Sequence, residues 1–70
     1  MTLLDAINSL TLTKVFSMEG SDWSWYYQLG ADEHANIIVV NHENKEASFT
    51  YLDMVENAWI VRNKKDLKLK

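Results

Sequence analysis

The chain contains no cysteine, which removes several classes of protein at once. Neither a disulfide framework, a thiolate metal site nor a cysteine nucleophile can be built, although domains of this size are often stapled in one of the first two ways. A reducing cytoplasm is the compartment expected. Proline is also absent, and only Gly20 and Gly30 supply an unrestricted backbone, so no linker or low-complexity segment divides the 70 residues. Long hydrophobic runs are lacking too. Ile37-Ile38-Val39-Val40 is the longest purely aliphatic stretch and is far too short to span a bilayer, and no basic segment followed by a long apolar run opens the chain. The reading is of a soluble, unsecreted protein.

Bases are scarce outside the last ten residues. Residues 1–60 hold nine acids against Lys14 and Lys45, whereas residues 61–70 hold Arg62, Lys64, Lys65, Lys68 and Lys70 against Asp66. An acidic body repels nucleic acid and attracts a basic protein surface. The expected organisation is a single domain over residues 1–62 followed by a basic C-terminal tail, residues 63–70, which solubilises the end of the chain. Direct nucleic-acid binding by five bases without a structured groove would be weak and salt-sensitive.

What the sequence does have is bulk. Hydrophobic residues make up 47% of it, and of three Trp, three Tyr and two Phe, four rings fall in the run Trp23-Ser24-Trp25-Tyr26-Tyr27. As a strand, this run places Trp23, Trp25, Tyr27 and Leu29 on one face, and Ser24, Tyr26 and Gln28 on the other. One face supplies core, and Tyr26 with a flanking Trp is left for contact with a partner.

The remaining pattern is that of an α+β domain. Thr2-Leu3-Leu4-Asp5 has capping spacing, and Leu3, Ala6, Ile7 and Leu10 form a stripe, predicting a helix over about residues 3 to 9. Residues 11–18 read as a strand with Leu12, Phe16 and Met18 in alternate register, and Glu19-Gly20-Ser21-Asp22 turns it into the aromatic strand, which runs to Gly30. Residues 36–40 form a third strand, whose consecutive aliphatics predict burial on both faces and a central place in the sheet. Residues 47–51 are a short fourth strand or an extended lead into a second helix, which Thr50-Tyr51-Leu52-Asp53 caps and which Leu52, Val55 and Trp59 would dock. That helix either continues through Trp59 or stops near Asn57 and releases Ala58-Trp59-Ile60-Val61 as a last strand, the alternative that Trp, Ile and Val favour. An antiparallel sheet of three to five strands with both helices on one face follows.

No reaction centre can be assembled from these residues. His34 beside Asp32 and Glu33, and His42 beside Glu43, would lie at opposite ends of one strand, roughly 17 Å apart, which prevents shared coordination of a metal. Asp5 and Asp53 are accounted for by caps and Asp22 and Asp32 by turns, no serine lies in an elbow motif, and no glycine-rich loop could cradle phosphates. The expectation is a protein that is not an enzyme and carries no cofactor. Its contact residues are read as Trp23, Trp25 and Tyr26 flanked by the acids Glu19, Asp22, Asp32 and Glu33, a charge pattern that opposes base stacking on single strands.

The order of mini-helix, aromatic hairpin, capped helix and closing Asp53-Met54-Val55-Glu56-Asn57-Ala58-Trp59-Ile60-Val61 resembles short phage proteins, among them the family that includes a Thoeris anti-defence protein, a sponge for cyclic-nucleotide signals. Small acidic anti-CRISPR inhibitors are similar in size and pattern. The resemblance implies a non-catalytic phage or prophage protein whose acidic body and aromatic patch block a bacterial defence protein with a basic surface, or an oligomeric sponge holding a small nucleotide. Self-association is expected from the spare aromatic surface.

Overall fold

Two threonines start the two helices, each by the same local device. The computed structural model describes residues 1–67. In α1 (Leu3–Asn8) the Thr2 hydroxyl accepts the Asp5 N–H at 3.2 Å, and in α2 (Tyr51–Val55) Thr50 and Asp53 form a reciprocal capping box, each side chain accepting the other's backbone N–H. Neither helix exceeds two turns, so neither is stable by itself. α1 is held because Leu3 and Ala6, with Leu10 beyond its end, are buried on the sheet.

The sheet contains β1 (Lys14–Met18), β2 (Tyr27–Ala31), β3 (Ile37–Asn41) and β4 (Trp59–Asn63), in the order β3-β2-β1-β4 with every neighbour antiparallel. This is the small α+β fold that the patterning predicts. The last four-residue ambiguity resolves as a strand: α2 stops when Glu56 turns extended, and Trp59 enters β4 opposite Met18. Beyond β4 a single 3₁₀ turn (Lys64–Asp66) and the buried Leu67 continue the folded unit, so the first half of the expected tail is structured; residues 68–70 of that tail lie outside the described residues. Among the described residues no helix is long and apolar enough to cross a membrane.

One face of the sheet carries the core. Phe16 of β1, Tyr27 of β2 and Trp59 of β4 project there, and Phe49, on the extended lead into α2, closes over them. All six pairs among these four rings lie between 4.9 and 6.2 Å centroid to centroid, in stacked, tilted and edge-on geometries. Such pairs add roughly 0.5–1.5 kcal/mol beyond the burial of their area.

Three expectations need correction. First, β3 is an edge strand, not the central one. Its neighbours are β2 and, on the outer side, only a short return of the chain: a bridge of Val40 to Glu46, with the Ala47 N–H donating to the Val39 carbonyl at 3.0 Å and the Asn41 N–H to the Lys45 carbonyl at 2.8 Å. Ile37 is 76% exposed. The strand buried on both faces is β1, where the consecutive residues Val15 and Phe16 are both fully enclosed. A run of aliphatics signals a wish for burial but not which neighbours arrive, and the chain leaves β3 after one bridge to put Phe49 over the core. Second, β1 begins at Lys14. The hydroxyls of Thr11 and Thr13 lie 3.2 Å apart and Thr11 also accepts the Thr13 N–H, a local turn that outcompetes the strand and leaves Leu12 88% exposed. Third, Gly30 lies inside β2 instead of ending it. A β-carbon there would stand 2.7 and 2.8 Å from the two γ-carbons of Val40, so the absence of a side chain is what lets β2 and β3 close.

That contact is testable. Gly30→Ala should destabilise the domain by about 1–3 kcal/mol through overpacking. Combined with Val40→Ala it should cost less than the two single changes added together, with a coupling of at least ~1 kcal/mol in a denaturation double-mutant cycle. Strict additivity would show that the close approach is not what selects glycine.

Candidate contact surfaces

The aromatic run is not a strand over its first half. Polar side chains between the rings capture the backbone N–H groups that a sheet would need: Ser21 accepts from the Trp23 N–H at 2.9 Å, and Asp22 accepts from the Ser24 N–H at 3.0 Å and the Ser24 hydroxyl at 2.7 Å. Trp23 is driven to φ 64°, a left-handed conformation uncommon for a bulky residue. β1 and β2 therefore pair through one register contact, Phe16 with Tyr27, and the connection between them is a loop over residues 19–26. The expected alternation of Trp23, Trp25 and Tyr27 on one face does not form.

The loop covers the sheet face opposite the helices. The Ser17 hydroxyl, on that face of β1, donates to the Trp25 carbonyl at 2.8 Å and pins the loop down. Trp23 is half-buried beneath Arg62 of β4, whose guanidinium carbon lies 5.3 Å from the ring centroid. Trp25 is 47% exposed; its ring meets His42 edge-on at 4.6 Å, and half-buried Tyr26 lies 5.4 Å from the same imidazole. His42 Nδ1 is enclosed without a hydrogen-bond partner among the described residues. Farther along this face Lys64 donates to Gln28 at 2.9 Å and Gln28 to Asn44 at 3.3 Å, a polar strap across three elements.

The seven residues read as contact groups do not converge. Glu19 and Asp22 are exposed beside the three rings, but Asp32 and Glu33 follow the far end of β2, five residues or roughly 17 Å away. Asp32 organises the β2–β3 turn, accepting the His34 N–H at 2.8 Å, the Asn36 N–H at 2.9 Å and the Asn36 side-chain amide at 3.2 Å. The Asn36 backbone bond holds its carboxyl below the ordinary aspartate value of 3.8, and the Ser24 bonds do the same for Asp22. Among the described residues Glu33 meets only His34, at 3.6 Å and in solvent. His34 and His42 stand at opposite ends of β3.

A second surface escaped the reading of the sequence. α2 leaves Tyr51, Leu52, Met54 and Val55 between 56% and 77% exposed, with Leu4 of α1 at 66%. Leu52 and Val55, expected to dock the helix with Trp59, face solvent because α2 ends before Trp59; the indole N–H instead donates to the Asp53 carbonyl at 3.0 Å and tethers the helix from its end. The signal was present in the density of apolar residues around the cap, since a helix of five residues in contact with α1 cannot hide four of them. Asp5 and Glu56 are exposed on these elements, which carry no Lys or Arg.

Two outcomes follow. Ser17→Ala should release the loop at a cost of about 1 kcal/mol, read as a red shift of tryptophan emission with the near-ultraviolet signature of the four-ring core retained; an unshifted spectrum would mean that the loop is held by the rings alone. In an NMR titration the His34 and Asn36 amide shifts should follow Asp32 with a midpoint below 3.8. Because the folded carboxyl is depressed, the turn's contribution is present above the unfolded pKa and is lost as pH falls through the folded one. A midpoint at or above 3.8 would contradict the bonded turn.

No protein-family model, curated protein or solved structure matches the chain, so its function has to be argued from these surfaces.

Proposed function

We propose that the protein acts by occupying a partner and not by catalysis, as a phage or prophage inhibitor that covers a basic, partly apolar surface of a bacterial defence protein. The observation that carries this reading is the α1–α2 face. Four large apolar residues of one short helix, Tyr51, Leu52, Met54 and Val55, stay more than half exposed in a domain small enough to need every apolar contact it can make. Exposed acids and no bases accompany them: Asp5 and Glu56 complement a partner that is cationic around an apolar centre. The half-exposed Trp25, with Glu19 and Asp22 nearby, repeats this chemistry on the other side of the sheet. The phage and defence context comes from the resemblance of the opening helix and the closing Asp53-to-Val61 segment to anti-defence proteins.

A nucleotide sponge takes second place. A groove of about 480 Å³ is lined by Leu12, Thr13, Asn63, Lys64 and Lys65; the two lysines suit a phosphate, but no ring on which a base could stack lines the groove among the described residues.

Affinity capture from bacterial lysate, paired with mass spectrometry of small molecules released by heating, separates the two. The inhibitor reading expects a protein complex that weakens at high salt and drops by at least about tenfold in affinity with Leu52→Asp, a change at an exposed position that should leave the thermal midpoint nearly unmoved. A nucleotide released without any captured protein would reverse the order, and a concentration-dependent dimer lost with Leu52→Asp would assign the face to a second copy.

A further inference from the structure

The two edges of the sheet are treated differently. β3 is closed by the return of residues 45–47, whereas among the described residues the outer edge of β4 is closed at one residue only: the Met1 amine donates to the Trp59 carbonyl at 3.2 Å and the Trp59 N–H donates to the Met1 carbonyl at 3.0 Å. The register with β1 fixes which groups look outward. Glu19 donates to the Ala58 carbonyl and Lys64 to the Thr13 carbonyl, so residues 58, 60, 62 and 64 bond toward β1 and residues 59, 61 and 63 present their backbone groups away from it. Among the described residues the Val61 N–H and carbonyl and the Asn63 N–H therefore form an open ladder. An open groove of about 400 Å³ runs along it, bounded by Ser9, Lys14, Arg62 and Asp66, with Met1 at one end.

We infer that this edge accepts an extended acidic peptide segment as a fifth strand. Main-chain bonds to Val61 and Asn63 would supply the register. Selectivity would come from charge: Lys14 and Arg62 line the groove against the single acid Asp66, Lys64 and Lys65 follow immediately, and among the described residues neither Lys14 nor Arg62 pairs with a carboxylate. In a protein whose body is acidic, this strand edge carries basic chemistry. The inference is independent of the α1–α2 face and concerns the opposite charge.

A second copy fits the edge poorly. Antiparallel self-pairing must match outward residues with outward residues. Placing Val61 opposite Val61 sets Asn63 against Trp59, whose groups are taken by Met1; placing Val61 opposite Asn63 sets Arg62 directly against Arg62, a like-charge cross-strand pair. Pairing Asn63 with Asn63 runs into the 3₁₀ turn of Lys64–Asp66. An acidic peptide meets none of these obstacles and can put a carboxylate opposite Arg62.

The test uses the whole chain and a fluorescein-labelled peptide of alternating glutamate and valine, with an alternating lysine and valine peptide as its counterpart. Fluorescence anisotropy should show binding of the glutamate peptide that falls with salt, and amide exchange at Val61 and Asn63 should slow when it is added. Asn63→Pro removes an outward donor at an exposed residue whose φ is already −71°, so the sheet keeps its own bonds while binding should fall by at least about tenfold. Arg62→Glu should move the preference toward the lysine peptide. Equal binding of the two peptides by the unaltered protein, unchanged exchange at Val61 and Asn63, or retained affinity in a folded Asn63→Pro variant would overturn the inference. So would a dimer whose formation alone protects these amides.

Discussion

The indole of Trp59 is the contact on which the other elements depend. Its ring meets Phe16, Tyr27 and Phe49 edge-on or steeply tilted, its N–H holds the end of α2 through the Asp53 carbonyl, and its own backbone ties Met1 to the sheet. One residue thus joins β4, both helices and the start of the chain. The geometry suits a domain of 70 residues, because four mutually packed rings concentrate burial where aliphatic side chains would need a larger volume to achieve it. It also explains why such short helices persist: α1 is held by its buried stripe against the ring cluster and α2 by the bond from the Trp59 indole.

The opposite face is built on another principle. No helix covers it; a loop does, held by the Ser17 hydroxyl, by Trp23 under Arg62 and by its own serine and aspartate turns. These bonds bury Val15 and Ser17 without a second hydrophobic layer. The cost is that half of the aromatic run is spent on a cover. Trp25 and Tyr26 flank His42 at its margin, and Asp32 beyond the far end of β2 serves a turn.

Charge is divided between surfaces in a way that matters for recognition. The α1–α2 face combines exposed apolar groups with acids, while the β4 edge and its groove combine backbone groups open among the described residues with bases. The two would select partners of opposite character, one cationic and folded, the other anionic and extended. Such division confers specificity, since each surface repels the ligand of the other.

Residue order by itself determined the local events. Thr2, Thr50 and Asp53 dictated where helices begin because a cap needs only neighbours three residues away, and Trp59-Ile60-Val61 carried enough strand character to end α2 early. The class of fold and the absence of a membrane-spanning helix among the described residues followed from composition and period. Tertiary structure alone decided everything set by competition between distant partners. Whether Ile37 to Val40 lay at the centre or the edge depended on where β4 docked, the fate of Trp23 depended on Arg62, 39 positions away, and the exposure of Leu52 depended on Trp59 joining a strand. Hydrophobic patterning states which side chains are better off buried; only the closed chain determines which of them find a place, and here the rings filled the core and left α2 outside it.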